Sequence, residues 1–155
     1  MKYVDTKIVF QEIPDEVSLA INISNCPYHC KGCHSPYLAE DIGEKLSYEK
    51  LIELCVDQEG ITCVVFMGGD SEPSRINKLA RFVKEELDLK SAWYSGRDSI
   101  DESINLYNFD YIKIGHYDEF LGPLTSRTTN QRLYKVHGNK LFDITERFWS
   151  NEDRN

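Results

Sequence analysis

The sequence predicts an α/β protein, a mostly parallel sheet built from βα units with short β additions near both ends of the chain. Strand-length apolar runs alternate with stretches of helical spacing from residue 47 to residue 114. The run at residues 61–67 is apolar almost throughout, as suits a parallel strand covered on both faces. Gly68-Gly69-Asp70 follows it at once, which is turn chemistry at a strand end.

Residues 7–13 and 17–23 read as two strands joined at Pro14-Asp15-Glu16, a turn-forming tripeptide. Val17, Leu19, Ile21 and Ile23 alternate along the second, the period of a half-buried strand. A loop containing Cys26, Cys30 and Cys33 comes next. Ser47 caps a helix through about residue 59, with Leu51, Ile52, Leu54 and Cys55 as its buried stripe. After the strand at 61–67, Ser74 caps a second helix, in which Ile76, Leu79, Ala80, Val83 and Leu87 recur at helical spacing. Residues 91–95 read as a strand, 98–106 as a short helix and 109–114 as a further strand. Residues 115–131 read as loop, and Leu133–Val136 with Leu141–Ile144 as a terminal hairpin.

With 155 residues and no linker or repeat, residues 1–155 form a single domain. Hydrophobic residues at 41% and charged residues at 28% describe a globular rather than a disordered chain. No apolar run reaches membrane-spanning length and the first residues lack a secretory pattern, so a cytoplasmic protein is expected. A net charge of −8 argues against nucleic acid as a partner, because phosphate-backbone binding needs a basic footprint.

Five cysteines without an export signal argue against a disulfide framework. Cys55 and Cys63 lie in apolar surroundings and read as core residues. Cys26, Cys30 and Cys33 form a C-x3-C-x2-C spacing in a loop that can wrap one metal centre. Three thiolates can hold three corners of a [4Fe–4S] cube and leave the fourth iron open. The alternative is a structural Cys3His zinc site using His29 or His34. Each histidine adjoins a cysteine, which makes joint tetrahedral ligation awkward, and no second ligand pair exists. Gly68-Gly69-Asp70 reads either as a tight turn or as a close backbone approach to a ligand. In the second case Asp70 accepts from a cationic amine, with Glu72 as the substitute acceptor. Both loops follow strands of a parallel sheet, so both fall where ligands bind in such sheets.

The cysteine loop after an early strand, with Gly-Gly-Asp after a later one, resembles the radical S-adenosylmethionine superfamily. Gly32, residues 94–96, residues 109–112 and residues 128–134 are similar to the anaerobic ribonucleotide reductase activating proteins within it. The resemblance implies a compact partial (βα) barrel-like sheet of radical S-adenosylmethionine type. It implies that Cys26, Cys30 and Cys33 bind [4Fe–4S], and that Gly32, Cys33, His34, Gly68, Gly69 and Asp70 border S-adenosylmethionine. No catalytic side chain is implied beyond the cluster and the cofactor. The implied reaction is reductive cleavage to a 5′-deoxyadenosyl radical that makes a glycyl radical on the partner. That partner is the large subunit of anaerobic ribonucleotide reductase, and a low-potential donor such as a flavodoxin supplies the electron. The same motifs also suit another glycyl-radical activase or a small deazapurine-forming synthase. Ser71-Glu72-Pro73 departs from the family pattern, in which proline more often follows the acidic residue directly.

Overall fold

The alternating segments near the N-terminus form an antiparallel pair, β1 (Lys2–Val9) and β2 (Ser18–Ile23). The computed structural model describes residues 1–27 and 36–149. The first strand therefore starts earlier than the apolar pattern suggests and stops at Val9, with residues 10–16 turning beneath the sheet. A two-residue strand, β3 (Glu44–Lys45), adds to the outer edge of β1 and had no apolar signal.

The βα grammar is realised in the middle of the chain. Ser47 accepts a hydrogen bond from Lys50 N and caps α1 (Tyr48–Val56), as its sequence position predicts. β4 (Cys63–Met67) leads into α2 (Pro73–Glu86), which leads into β5 (Lys90–Tyr94). The cap of α2 is not Ser74. Pro73 opens the helix, whose first turn needs no proline N–H, Glu72 takes the capping position without a side-chain bond, and Ser74 lies inside.

The helix expected over residues 98–106 does not form; a 3₁₀ turn at Leu106–Asn108 takes its place. Asp101 Oδ1 accepts from Ser103 N at 2.9 Å, and Asn105 Oδ1 from Tyr107 N at 3.1 Å. These local side-chain bonds compete with helical ones. The chain then enters β6 (Tyr111–Ile114), a long loop, and the hairpin β7 (Arg132–His137) and β8 (Lys140–Asp143). Gly138 turns that hairpin with φ of 62°, which two-residue hairpins require.

All eight strands share one sheet in the order β3-β1-β2-β4-β5-β6-β7-β8. Its middle, β2-β4-β5-β6, is parallel, while both flanks are antiparallel. The expectation of a mostly parallel sheet thus holds for the centre alone. Among the described residues two α-helices serve eight strands, a sheet-dominated α/β arrangement with no clear (βα) barrel. Among the described residues no helix is long and apolar enough to cross a membrane.

Each face of the sheet buries its own cluster. Leu51 and Cys55 of α1 and Ile76, Leu79, Ala80 and Val83 of α2 pack on Ile21, Val64, Phe66, Trp93 and Ile112. The opposite face carries Ala20, Val65, Ala92, Tyr111 and Leu133, covered by Ile13 and the residues around Ile144 and Phe148. β4 contributes to both, as its unbroken apolar run predicts.

At the starting ends of the parallel strands, the Glu16 carboxylate is buried and triply held. It accepts from Thr62 Oγ1 at 2.8 Å, Lys90 Nζ at 2.8 Å and the Tyr111 hydroxyl at 2.9 Å. Burial alone would raise its pKa, but these three donors outweigh burial and hold it below the ordinary value. Its stabilising contribution is therefore complete above the unfolded glutamate pKa of about 4.3 and lost as pH falls through the lower folded value. Glu16→Gln should flatten the acid limb of stability measured by urea unfolding from neutral pH to about pH 3. Glu16→Ala should cost about 2–3 kcal/mol at neutral pH, because it leaves a buried Tyr111 hydroxyl unpaired.

Candidate functional site

Because β2, β4, β5 and β6 are parallel, their C-terminal ends and the four segments that follow share one rim. Ser24, Asn25 and Cys26 leave β2; Gly68 to Ser71 leave β4; Ser95 to Arg97 leave β5; Gly115 and His116 leave β6. β7 returns to the same rim, where Arg132 pairs with Ile114.

The cysteine loop is closed at its neck. Asn25 N donates to Glu40 O at 2.9 Å and Cys26 N to Leu38 O at 2.8 Å. Asn25 adopts φ of 61°, a left-handed conformation that asparagine tolerates. Ser71 Oγ donates to Asn25 O, joining the neck to the turn after β4. Cys26 thus stands half-buried at the rim. Cys30, Gly32, Cys33 and His34 lie outside the described residues, as does His29.

Gly68 and Gly69 have φ of 102° and 95°. A Cβ on Gly69 would lie 2.6 Å from Ile76 Cδ1 on a backbone with φ of 95°, so a side chain there would strain the turn and displace the Ile76 side chain of α2. Trp93 Nε1 donates to Gly68 O at 2.7 Å and Gly68 N donates to Tyr94 O at 3.1 Å, which fix the turn against β5.

Asp70 is the hub of the next link. Its Oδ1 accepts from Ser95 Oγ at 2.5 Å and its Oδ2 from Gly96 N at 2.8 Å, and the residue is only 3% exposed. The Asp70 carbonyl accepts from Arg97 Nη2 at 3.3 Å, and Arg97 Nη1 lies 3.1 Å from Asp101 Oδ2. Glu72 sits outside this arrangement, half-exposed, with its Oε2 3.3 Å from the Met1 amino group.

Lys113 carries the chain of bonds onward. Its buried Nζ donates to Ser95 O at 3.0 Å and to Gly115 O at 2.9 Å. Gly115 N donates to Arg97 O at 2.5 Å. The four post-strand segments therefore form one hydrogen-bonded belt from the cysteine loop to β6. A lysine within the otherwise apolar run Tyr111–Ile114 was the available sequence signal for this role.

The remaining polar residues serve the rim and hairpin. His116 Nδ1 lies 2.8 Å from Asp98 Oδ1, and this partner holds the Asp98 carboxyl below its ordinary pKa. Asn130 Nδ2 donates to His116 O at 3.0 Å, Gln131 is buried, and Arg132 Nη1 lies 3.7 Å from Asp143 Oδ2.

Cys55 and Cys63 take no part. Burial pushes their thiols up to about 11 and about 12, which disfavours the thiolate that ligation and nucleophilic attack use. Cys26 has a different setting, on a loop at the strand ends. A loop offering three thiols is a soft donor set, which suits an iron–sulfur cluster or zinc. No family model, curated protein or solved structure matches this chain.

Proposed function

We propose that the chain is a radical S-adenosylmethionine activase that places a glycyl radical on anaerobic ribonucleotide reductase. The observation that supports this reading is the fastening of the cysteine-loop neck to the Gly68-Gly69-Asp70 turn through Ser71 and Asn25. Asn25, at the neck of the cysteine loop, and Ser71, beside the glycine turn, are 46 residues apart in sequence and are bonded on the rim where an α/β sheet binds its ligand. In this reading the sheet is a partial barrel, with α1 and α2 outside and the opposite face turned inward.

Cys26, Cys30 and Cys33 would hold the [4Fe–4S] cluster, and Gly32, His34, Gly68, Gly69 and Asp70 would border the cofactor. With S-adenosylmethionine bound, the cluster would supply an electron for reductive carbon–sulfur cleavage and with it the radical chemistry that activates a glycine of the reductase. The chain's own residues supply placement. Ser71 holds the loop neck, Asp70 holds the β5 turn and Lys113 holds the β6 turn. A low-potential donor such as a flavodoxin in the cytoplasm would deliver the electron, because such clusters span roughly −700 to +450 mV and this chemistry uses the low end.

Electron paramagnetic resonance of anaerobically reconstituted, reduced protein tests the reading. A cluster spectrum that changes on addition of S-adenosylmethionine is the expected result. One tightly held zinc with no inorganic sulfide would replace the activase by a structural metal module.

A further inference from the structure

Resting on the reading that the chain acts on a protein, we propose that Phe120 is the anchor by which the protein partner seats on the parallel-strand rim. Phe120 is 87% exposed, the most exposed large apolar side chain among the described residues. Its loop leaves the rim at Gly115 and returns to it at Gln131, so both roots of the loop lie on the rim that carries the β4, β5 and β6 turns.

The turn presenting it is built rather than slack. Asp118 Oδ1 accepts from Phe120 N at 2.9 Å, and the Asp118 carbonyl accepts from Leu121 N at 3.1 Å and Gly122 N at 2.9 Å. Thr128 Oγ1 donates to Leu121 O at 2.6 Å, tying the turn to the returning arm. An aromatic ring on a backbone already held in place gives up little conformational freedom on docking.

Other prominent exposed apolar residues lie toward the opposite end of the sheet. Phe10 follows the last residue of β1, Tyr107 precedes β6, and Phe142 pairs with Lys135 across from Tyr111, where β6 begins. An exposed Phe by itself is ordinary; its place on a loop rooted in the rim and its fixed turn set Phe120 apart. Asp118 and Glu119 precede it in a chain of net charge −8. The partner surface that fits is an apolar pocket edged by lysine or arginine.

Phe120→Ala tests this, with Phe142→Ala as a control that is half-exposed but remote from the rim. The probe is the purified glycyl-radical subunit of anaerobic ribonucleotide reductase, and the readout is its dissociation constant for each variant. Phe120→Ala should weaken association roughly tenfold or more, while Phe142→Ala should leave it unchanged. Formation of 5′-deoxyadenosine with a chemical reductant and no partner should be the same in both variants and the parent. Equal affinity of Phe120→Ala and parent, or an equal loss in Phe142→Ala, would overturn the anchor. Absence of binding by the parent would overturn it too. In that case, 5′-deoxyadenosine formation decides separately whether the radical chemistry stands.

Discussion

Cys26→Ala should bring inorganic sulfide, bound iron and 5′-deoxyadenosine formation down together, while Cys55→Ala and Cys63→Ala keep all three. In the proposed reading, removing one of three thiolates would leave two to hold a cube with no protein ligand at its fourth corner. Loss of an outer-shell partner alone costs roughly 10–100-fold in metal affinity or activity, and loss of a ligand should exceed that. The controls matter because all three residues carry thiols. Cys63 is fully buried in β4 and Cys55 lies on the buried face of α1. Cys63 opens β4 at the end away from the cysteine loop and Cys55 faces the core from α1, so neither is placed to substitute for the missing ligand. The measurement is iron and sulfide content after anaerobic reconstitution, paired with product formation. A Cys26→Ala protein with full sulfide content and normal cleavage would remove the cluster from the loop and the activase reading with it.

What the sequence made legible follows from the range of the interactions involved. The Ser47 cap of α1, the apolar run of β4 and the stripe of α2 are local patterns, and all appear in the structure. The terminal hairpin was legible for the same reason, from turn residues between two short apolar runs. The segment at 98–106 failed because its apolar spacing competes with Asp101 and Asn105, whose side chains satisfy nearby backbone N–H groups without a helix. β3 left no signal at all. Its two exposed residues, Glu44 and Lys45, join the sheet through backbone pairing with β1.

The site divides along the same line. Gly68-Gly69-Asp70 and Cys26 could be placed on one rim from the order of strands. The bonds that fasten them could not, since Ser71 to Asn25, Asp70 to Ser95 and Lys113 to Gly115 depend on which loops become neighbours. Arg97 carried no motif and Lys113 only its place in an apolar run, yet both bind backbone carbonyls of adjacent turns. A cation that braces two turns is read from three dimensions, because its partners are peptide groups rather than residue types.

Asp70→Ala should spare the cluster, weaken S-adenosylmethionine binding and destabilise the fold by about 3 kcal/mol. The sequence suggested Asp70 as acceptor for the cofactor amine, whereas the structure gives its two oxygens to Ser95 Oγ and Gly96 N. Removing the carboxylate strands both donors at a site that is 3% exposed, and each bond to a charged group is worth about 1.5–3 kcal/mol. Loss of cofactor affinity alone does not separate a direct contact from a positioning role, because a loosened β5 turn also loosens the β4 turn. Ser95→Ala does separate them. It deletes the bond to Asp70 Oδ1 and leaves the carboxylate in place. Positioning predicts that Ser95→Ala shares part of the affinity loss, about tenfold for each 1.4 kcal/mol transferred to binding, measured by equilibrium dialysis on cluster-loaded protein. Direct contact predicts that Ser95→Ala binds as tightly as the parent while Asp70→Ala does not. Tight binding by both variants would move the amine to Glu72 or to backbone carbonyls of the glycine turn, and would leave Asp70 the purely structural task of joining two strand ends.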